Sequence, residues 1–315
     1  MKFNTDTSRD VPLGVIKILF YILSMGLNST TRAINRIFTC VVLYDLLQNG
    51  SNKVFDYVVQ QYVTDPENKT LGEIISDIYV HLGKERRNEY YYTNTLLNKL
   101  LVGIHNVNTT TALSQVRIGH HIADFVMING EGKVYEIKSD LDNFNRLYAQ
   151  LRDYFKAFSK VCVLTSIHEL NRVEQVLASF GDIGEYVGIY VLSENDTIFS
   201  KIYSREPQQF EKYLDYNCIF KLLRKNEYEN VLLKYFGNIP QVAPAFHFRI
   251  CLEQFKLIPI LTAQNLAFKE LKKRNKITKA AFEGIQSELK SAVYFSKLSR
   301  KLPALEQLLQ INYRG

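Results

Sequence analysis

IADFVMINGEGKVYEIKSD, residues 122–140, is the stretch on which the fold turns. IADFVMI and KVYEIKS read as successive strands on either side of Asn129-Gly130, and an Asn-Gly pair between two such runs signals a hairpin. Three charged groups stand inside this apolar pattern: Asp124, Glu136 and Lys138. Side chains two apart on a strand share a face, so Glu136 and Lys138 lie together. Whether Asp124 joins them is a question of register. A loop of Asn129, Gly130 and Glu131 pairs Ile128 with Gly132 and sets Asp124 directly opposite Glu136. A two-residue Asn-Gly loop sends Asp124 to the other face, so the odd loop or a correcting bulge is expected. Two carboxylates would then sit about 5 Å apart and repel by about 3 kcal/mol at an effective dielectric of about 20. Lys138 offsets part of this, and a divalent cation suited to hard oxygen ligands, Mg²⁺ or Mn²⁺, would offset the rest. Taken alone, the same three residues also read as an exposed polar stripe with an ion pair worth under about 1 kcal/mol.

Working outward, LSQVRIG reads as a strand before the hairpin, and NEYYYTNTLLNKLLVGI, residues 88–104, carries Tyr92, Leu96, Leu97, Leu100 and Leu101 at helical spacing. Downstream, LDNFNRLYAQLRDYFKAF returns to the helical period, with Leu147, Leu151, Phe155 and Phe158 among its apolar face. VCVLT, residues 161–165, is the continuous apolar run of a buried parallel strand. A helix over residues 168–179, the strand YVGIYVL and a short strand near Ile198 complete an α/β domain of residues 86–204. Residues 1–85 read as an N-terminal helical region: AINRIFTCVVLYDLLQNG stops on Gly50, KVFDYVVQQYV follows, and TLGEIISDIYVHLG stops on Gly83. Residues 205–315 read as a second helical region. Val11–Leu27 is apolar, but Lys17 interrupts it and it falls short of the roughly 20 residues of a membrane span, so it reads as a buried helix.

The chain has 315 residues, 46% of them hydrophobic, enough for a sizeable core. Its net charge of +7 favours a polyanionic partner such as nucleic acid. Residues 269–301 hold ten Lys/Arg against three Glu, a surplus equal to that of the whole chain, so the positive field gathers near this stretch. Such a run contacts a phosphate backbone or is simply a solvated helical face. Cys40, Cys162, Cys218 and Cys251 show no CxxC or Cys/His spacing, and the six histidines form no HExxH pair. Zinc and iron–sulfur sites are therefore unsupported, and reduced thiols in a cytoplasmic protein are the simpler reading.

Around the hairpin, Gln150 and Tyr154 fall one turn apart on the following helix, Arg146 extends their row, and Glu89 opens the helix that precedes the sheet. Asp124, eleven residues, Glu136-Ile-Lys138, the helix with Gln150-x-x-x-Tyr154 and the VCVLT strand together resemble the PD-(D/E)xK nuclease superfamily. The Gln-x-x-x-Tyr element is similar to its RecB-type branch. The resemblance spans residues 86–200 and implies a restriction-endonuclease-like αβββαβ core flanked by helical regions. It implies Asp124 and Glu136 as ligands of Mg²⁺ or Mn²⁺, with Glu89 as a further ligand or base. Lys138 would orient the attacking water, while Gln150 and Tyr154 orient the site or contact the nucleic-acid backbone. Ala123 stands where the superfamily usually has proline, and His120 and His121 precede the strand where RecB-type members often carry a histidine ligand. The expected function is metal-dependent phosphodiester hydrolysis in nucleic acid, DNA ahead of RNA, in phage defence or mobile-element biology by analogy. The alternatives are a non-catalytic nucleic-acid-binding module, or an adaptor that meets a protein partner or itself through the helical ends.

Overall fold

The computed structural model describes residues 33–315 except 86, 105, 106, 141, 199, 201, 203 and 276, so the Val11–Leu27 segment lies outside the described residues. Among the described residues no helix is long and apolar enough to cross a membrane. The chain forms two compact units, Met1–Leu82 with Gln307–Gly315, and Gly83–Glu306.

In the first unit, α1 (Cys40–Asn49) stops at Gly50, whose φ of 73° lets its N–H close back on the Leu46 carbonyl. The next helix, α2 (Lys53–Tyr62), starts at Asn52, whose side-chain oxygen accepts from the N–H groups of Val54 and Phe55. The chain's last residues return here: Leu71 N–H donates to the Ile311 carbonyl at 2.9 Å, and the Tyr313 hydroxyl donates to Asp56 at 3.1 Å. The helix expected to stop at Gly83 runs on as α3 (Leu71–Glu85). That glycine serves close packing instead, because a Cβ there would meet the Tyr91 hydroxyl at 2.7 Å.

The second unit begins with α4 (Glu89–Asn98), capped by the Asn88 side chain on the Tyr91 N–H, and continues as a π turn over Lys99–Ile104. Then come β1 (Thr111–Ile118), β2 (His121–Asn129), β3 (Glu131–Lys138), α5 (Leu147–Tyr154), β4 (Lys160–Ser166), α6 (Leu170–Ala178) and β5 (Gly188–Leu192). The strands form one mixed sheet in sequence order. The first three are antiparallel, and β3–β4–β5 are parallel, which requires the crossovers that α5 and α6 supply. Among the described residues no strand forms near Ile198, where one is expected. Residues 193–197 instead close a turn, with Ser193 N–H on the Thr197 carbonyl at 2.9 Å, and the edge of β5 is met only by an Ile189–Arg205 bridge.

The hairpin adopts the odd register, with Ile128 opposite Gly132, Phe125 opposite Tyr135, and Gly130 at φ 73°. Residues on one face of the hairpin, Val126, Ile128 and Val134, join a hydrophobic cluster with Leu147, Leu151 and Tyr154 of α5. Phe125 and Tyr135 occupy the other face, edge to face at 5.8 Å, with Phe295 and Tyr190 beside them.

The C-terminal helices α7 (Tyr216–Lys221), α8 (Lys225–Phe236), α9 (Pro244–Phe255) and α10 (Ile260–Lys272) contribute Phe220, Leu232, Phe255 and Phe268 to that same cluster. Phe268 stacks on Phe158 at 5.0 Å above Gly132, where any Cβ would come within 2.6 Å of the Phe268 ring. Each such buried ring contributes about 2–3 kcal/mol. Residues 205–306, which composition set apart as a helical region, thus share the core of the sheet. Helices α11 (Lys279–Gly284), α12 (Lys290–Tyr294) and α13 (Leu302–Leu309) follow. Before α12, the Ser287 carbonyl accepts from the Asn94 amide at 2.9 Å, and Ser291 N–H donates to the Asn94 oxygen at 2.8 Å, which ties this segment to α4.

Candidate active site

The odd register turns Asp124 toward β3: its Oδ2 accepts from the Ile137 N–H at 2.9 Å, and the ladder continued from the Phe125–Tyr135 pair sets it across from Glu136. Glu136 is 1% exposed and well held. Its Oε1 accepts from Lys138 Nζ at 2.8 Å and from Gln150 Nε2 at 2.5 Å. Its Oε2 lies 2.7 Å from the Tyr154 hydroxyl, which is also 2.9 Å from the Ile122 carbonyl, so one phenolic proton is shared between two acceptors. Lys138 Nζ donates as well to Gln150 Oε1 at 3.2 Å, closing a triangle of acid, ammonium and amide. The helical spacing of Gln150 and Tyr154 brings both onto the acid. Arg146, expected in the same row, is exposed at the start of α5 and makes no hydrogen bond to it.

The charge balance is uneven. Burial, then the neighbouring charges of Glu136 and Glu89, push the Asp124 carboxyl up to about 8 against the pull of the Ile137 N–H and of Lys138. Partial burial, with the charges of Asp142 and Glu136, also raises the Glu89 carboxyl above its ordinary range. Burial likewise raises the Tyr154 phenol, aided by Glu136, which keeps it a neutral donor. With every carboxyl ionised the site would carry more negative charge than Lys138 neutralises, which is why the Asp124 proton is held.

Glu89 stands at the exposed rim and accepts from Gln115 Nε2 at 3.0 Å. Gln115 is a residue that the sequence does not single out. It sits between the pairs Ser114–Phe125 and Val116–Ala123, across β1–β2 from Asp124, and it adopts φ 53° inside a strand. For a side chain with a Cβ this conformation is strained, and such strain gathers at functional positions. His120 and His121 do not approach the acids. Asp153 takes the His120 N–H at 2.8 Å and His121 Nδ1 at 2.7 Å, and its carboxyl group occupies the space where Gly119 would otherwise carry a Cβ.

In chemistry the site suits a hard divalent cation, since two carboxylates and excess negative charge are what Mg²⁺ and Mn²⁺ select. In number it does not form a ready cage: among the described residues no three Asp, Glu, His or Cys side chains converge as a ligand set. Asp124 and Glu136 are the pair that would hold an ion, with its other positions left to water or substrate oxygens, as is usual for Mg²⁺.

A mixed five-stranded sheet with flanking helices, carrying a buried acid–lysine–amide–phenol constellation on its central hairpin, defines the class of protein. The chain belongs to the bacteriophage P4 protein cII family, whose model matches residues 83–299. That span covers nearly all of the unit Gly83–Glu306 and includes every residue of the constellation. No curated protein and no solved structure matches the chain.

Proposed function

We propose that the unit Gly83–Glu306 is a metal-dependent nuclease, hydrolysing phosphodiester bonds of nucleic acid, DNA ahead of RNA, on a restriction-endonuclease-like αβββαβ core. The observation that carries this reading is the pairing of Asp124 with a fully buried Glu136 whose two oxygens are fixed by Lys138, Gln150 and Tyr154. Burying two carboxyl groups side by side is costly unless a cation or a reaction makes use of them. The resemblance to the PD-(D/E)xK superfamily assigns the same residues to the same chemistry.

A bound Mg²⁺ or Mn²⁺, held by Asp124 and Glu136 with Glu89 nearby, would polarise the phosphoryl oxygen and acidify an attacking water. Tyr154 and Gln150 keep Glu136 in one rotamer. Lys138, bridged between Glu136 and Gln150, presents an ammonium group where a water and the developing phosphorane charge need a donor. Gln115 holds Glu89 at the rim. Membership in a family named for a bacteriophage P4 protein supports a setting in phage or mobile-element biology.

A second reading, a nucleic-acid-binding module without chemistry, draws support from the lack of a three-ligand set among the described residues. A cleavage assay on single- and double-stranded DNA and RNA with Mg²⁺, Mn²⁺ or EDTA separates the two. Glu136→Gln and Lys138→Ala should each lower cleavage at least about 100-fold, the scale of one lost electrostatic donor or ligand. Cleavage that survives chelation or both substitutions refutes the mechanism, and silence on every substrate favours the binding module.

A further inference from the structure

Beside the acids, a cleft of about 980 Å³ opens between β1 and the C-terminal elements of the same unit. Strand β1 is an edge of the sheet and forms one wall with residues 112–117, while residues from 221–230, 270–275, 277 and 294–300 contribute the other. Seven basic side chains line the cleft against two acids, and both acids are already engaged. Arg274 clamps Glu227 at 2.8 and 2.6 Å, and Lys273 pairs with Glu270 at 2.5 Å. The remaining five cations, Arg117, Lys221, Arg224, Lys297 and Arg300, are exposed and form no ion pair among the described residues. Gln115 lines the cleft too, and its amide reaches Glu89, so the cationic wall runs up to the acidic site.

We propose that this cleft is the track for a single strand of nucleic acid, gripped by its phosphates and led past Gln115 to Asp124 and Glu136. The inference rests on the nuclease reading only for what lies at the end of the track. Unpaired cations on facing walls match a phosphate chain, which carries charge at every residue. On the second wall the half-buried Phe295, packed edge to face on Phe125 at 5.9 Å, is an aromatic contact for an unstacked base. A duplex keeps its bases paired and stacked, so it has no free base to set against that ring. An acidic protein surface would use the same charges but not the ring.

The test measures binding of a fluorescein-labelled single-stranded oligonucleotide to the full chain in EDTA, where nothing is cut, with the matching duplex as comparison. Five phosphate contacts predict a slope of log K on log salt of about −3.5, or about 100-fold weaker binding between 50 and 200 mM salt. Arg117→Gln, Lys297→Gln and Arg300→Gln combined should flatten that slope to about −1.4. Lys221→Gln with Arg224→Gln repeats the measurement independently with a second set of cations, and unchanged thermal unfolding checks that each variant folds. Lys234→Gln, an exposed cation outside the cleft lining, should bind as the wild type does. Tighter binding of the duplex, or an unchanged slope in both sets of variants, overturns the proposal. Salt-dependent binding lost in the variants, in a chain that cleaves nothing, upholds the track while refuting the nuclease reading. Cleavage that persists with wild-type salt dependence in the variants does the reverse.

Discussion

Replacing Asp124 with asparagine should remove a pH dependence of stability and make the metal-free protein more stable at pH 8. The folded carboxyl titrates at about 8, because burial and the charges of Glu136 and Glu89 outweigh the Ile137 N–H and Lys138. In the unfolded chain an aspartate titrates near 4. Between those two values the folded state holds a proton that the unfolded state has lost. The stabilisation from this group is therefore fully present below about pH 4, falls as pH rises, and is gone above about pH 8. The steepest slope is about 1.4 kcal/mol per pH unit. Carried over the whole interval this gives a ceiling of about 6 kcal/mol, comparable with the entire stability of a domain, so local relaxation and water entry must reduce it. A fall of about 2–3 kcal/mol from pH 5 to pH 8 is the expected size.

Asparagine keeps an oxygen for the Ile137 N–H and does not titrate. The assay is urea unfolding of wild type and Asp124→Asn in EDTA at pH 5, 6, 7 and 8. The difference should be near zero at pH 5 and favour the variant by about 2 kcal/mol at pH 8. Adding Mn²⁺ should stabilise the wild type increasingly with pH, because binding must first release the proton, and should leave the variant unmoved. Parallel stability curves from pH 5 to 8, or metal stabilisation in the variant equal to that of the wild type, would refute the placement of Asp124 beside uncompensated acids.

The hairpin was legible because its information is local. The period of two, the Asn129-Gly130 turn and the parity of the loop lie within nineteen residues, and the structure adopts the odd register. Gln150 and Tyr154 were legible for the same reason, since one helical turn separates them. What was hidden depends on distant partners. Gly83 sits where a helix stop belongs, but its partner is the Tyr91 ring. Gly132 resembles a turn residue, yet it is small because Phe268 lies above it. Ile198 follows a turn, as a strand residue would, but among the described residues no strand pairs with it. Nothing in the identity of Gln115 announces φ 53°, which the surrounding ladder imposes. Counting charges along residues 269–301 also misses how they are used. Arg274 and Lys273 are taken by Glu227 and Glu270, Lys290 lies against the Phe282 ring at 5.0 Å, and Lys276 is outside the described residues. The free cations facing the cleft include Arg117, Lys221 and Arg224, which no run of charge marks out.

Three further outcomes follow from the geometry. Tyr154→Phe leaves a buried Glu136 oxygen without its donor and should cost about 1–3 kcal/mol in urea unfolding; no loss would mean that the 2.7 Å contact carries no weight. Gln115→Gly relieves a left-handed backbone worth about 1–2 kcal/mol but releases Glu89, so stability should hold or rise while cleavage falls; lower stability with intact cleavage would reverse the assignment. Arg274→Ala should cost about 3–5 kcal/mol, because Glu227 is 6% exposed and would be left buried without its counter-ion. The exposed Arg117→Ala should stay within about 0.5 kcal/mol of wild type, and equal losses in the two would mean that the basic residues do not divide into a structural clamp and a free cleft wall.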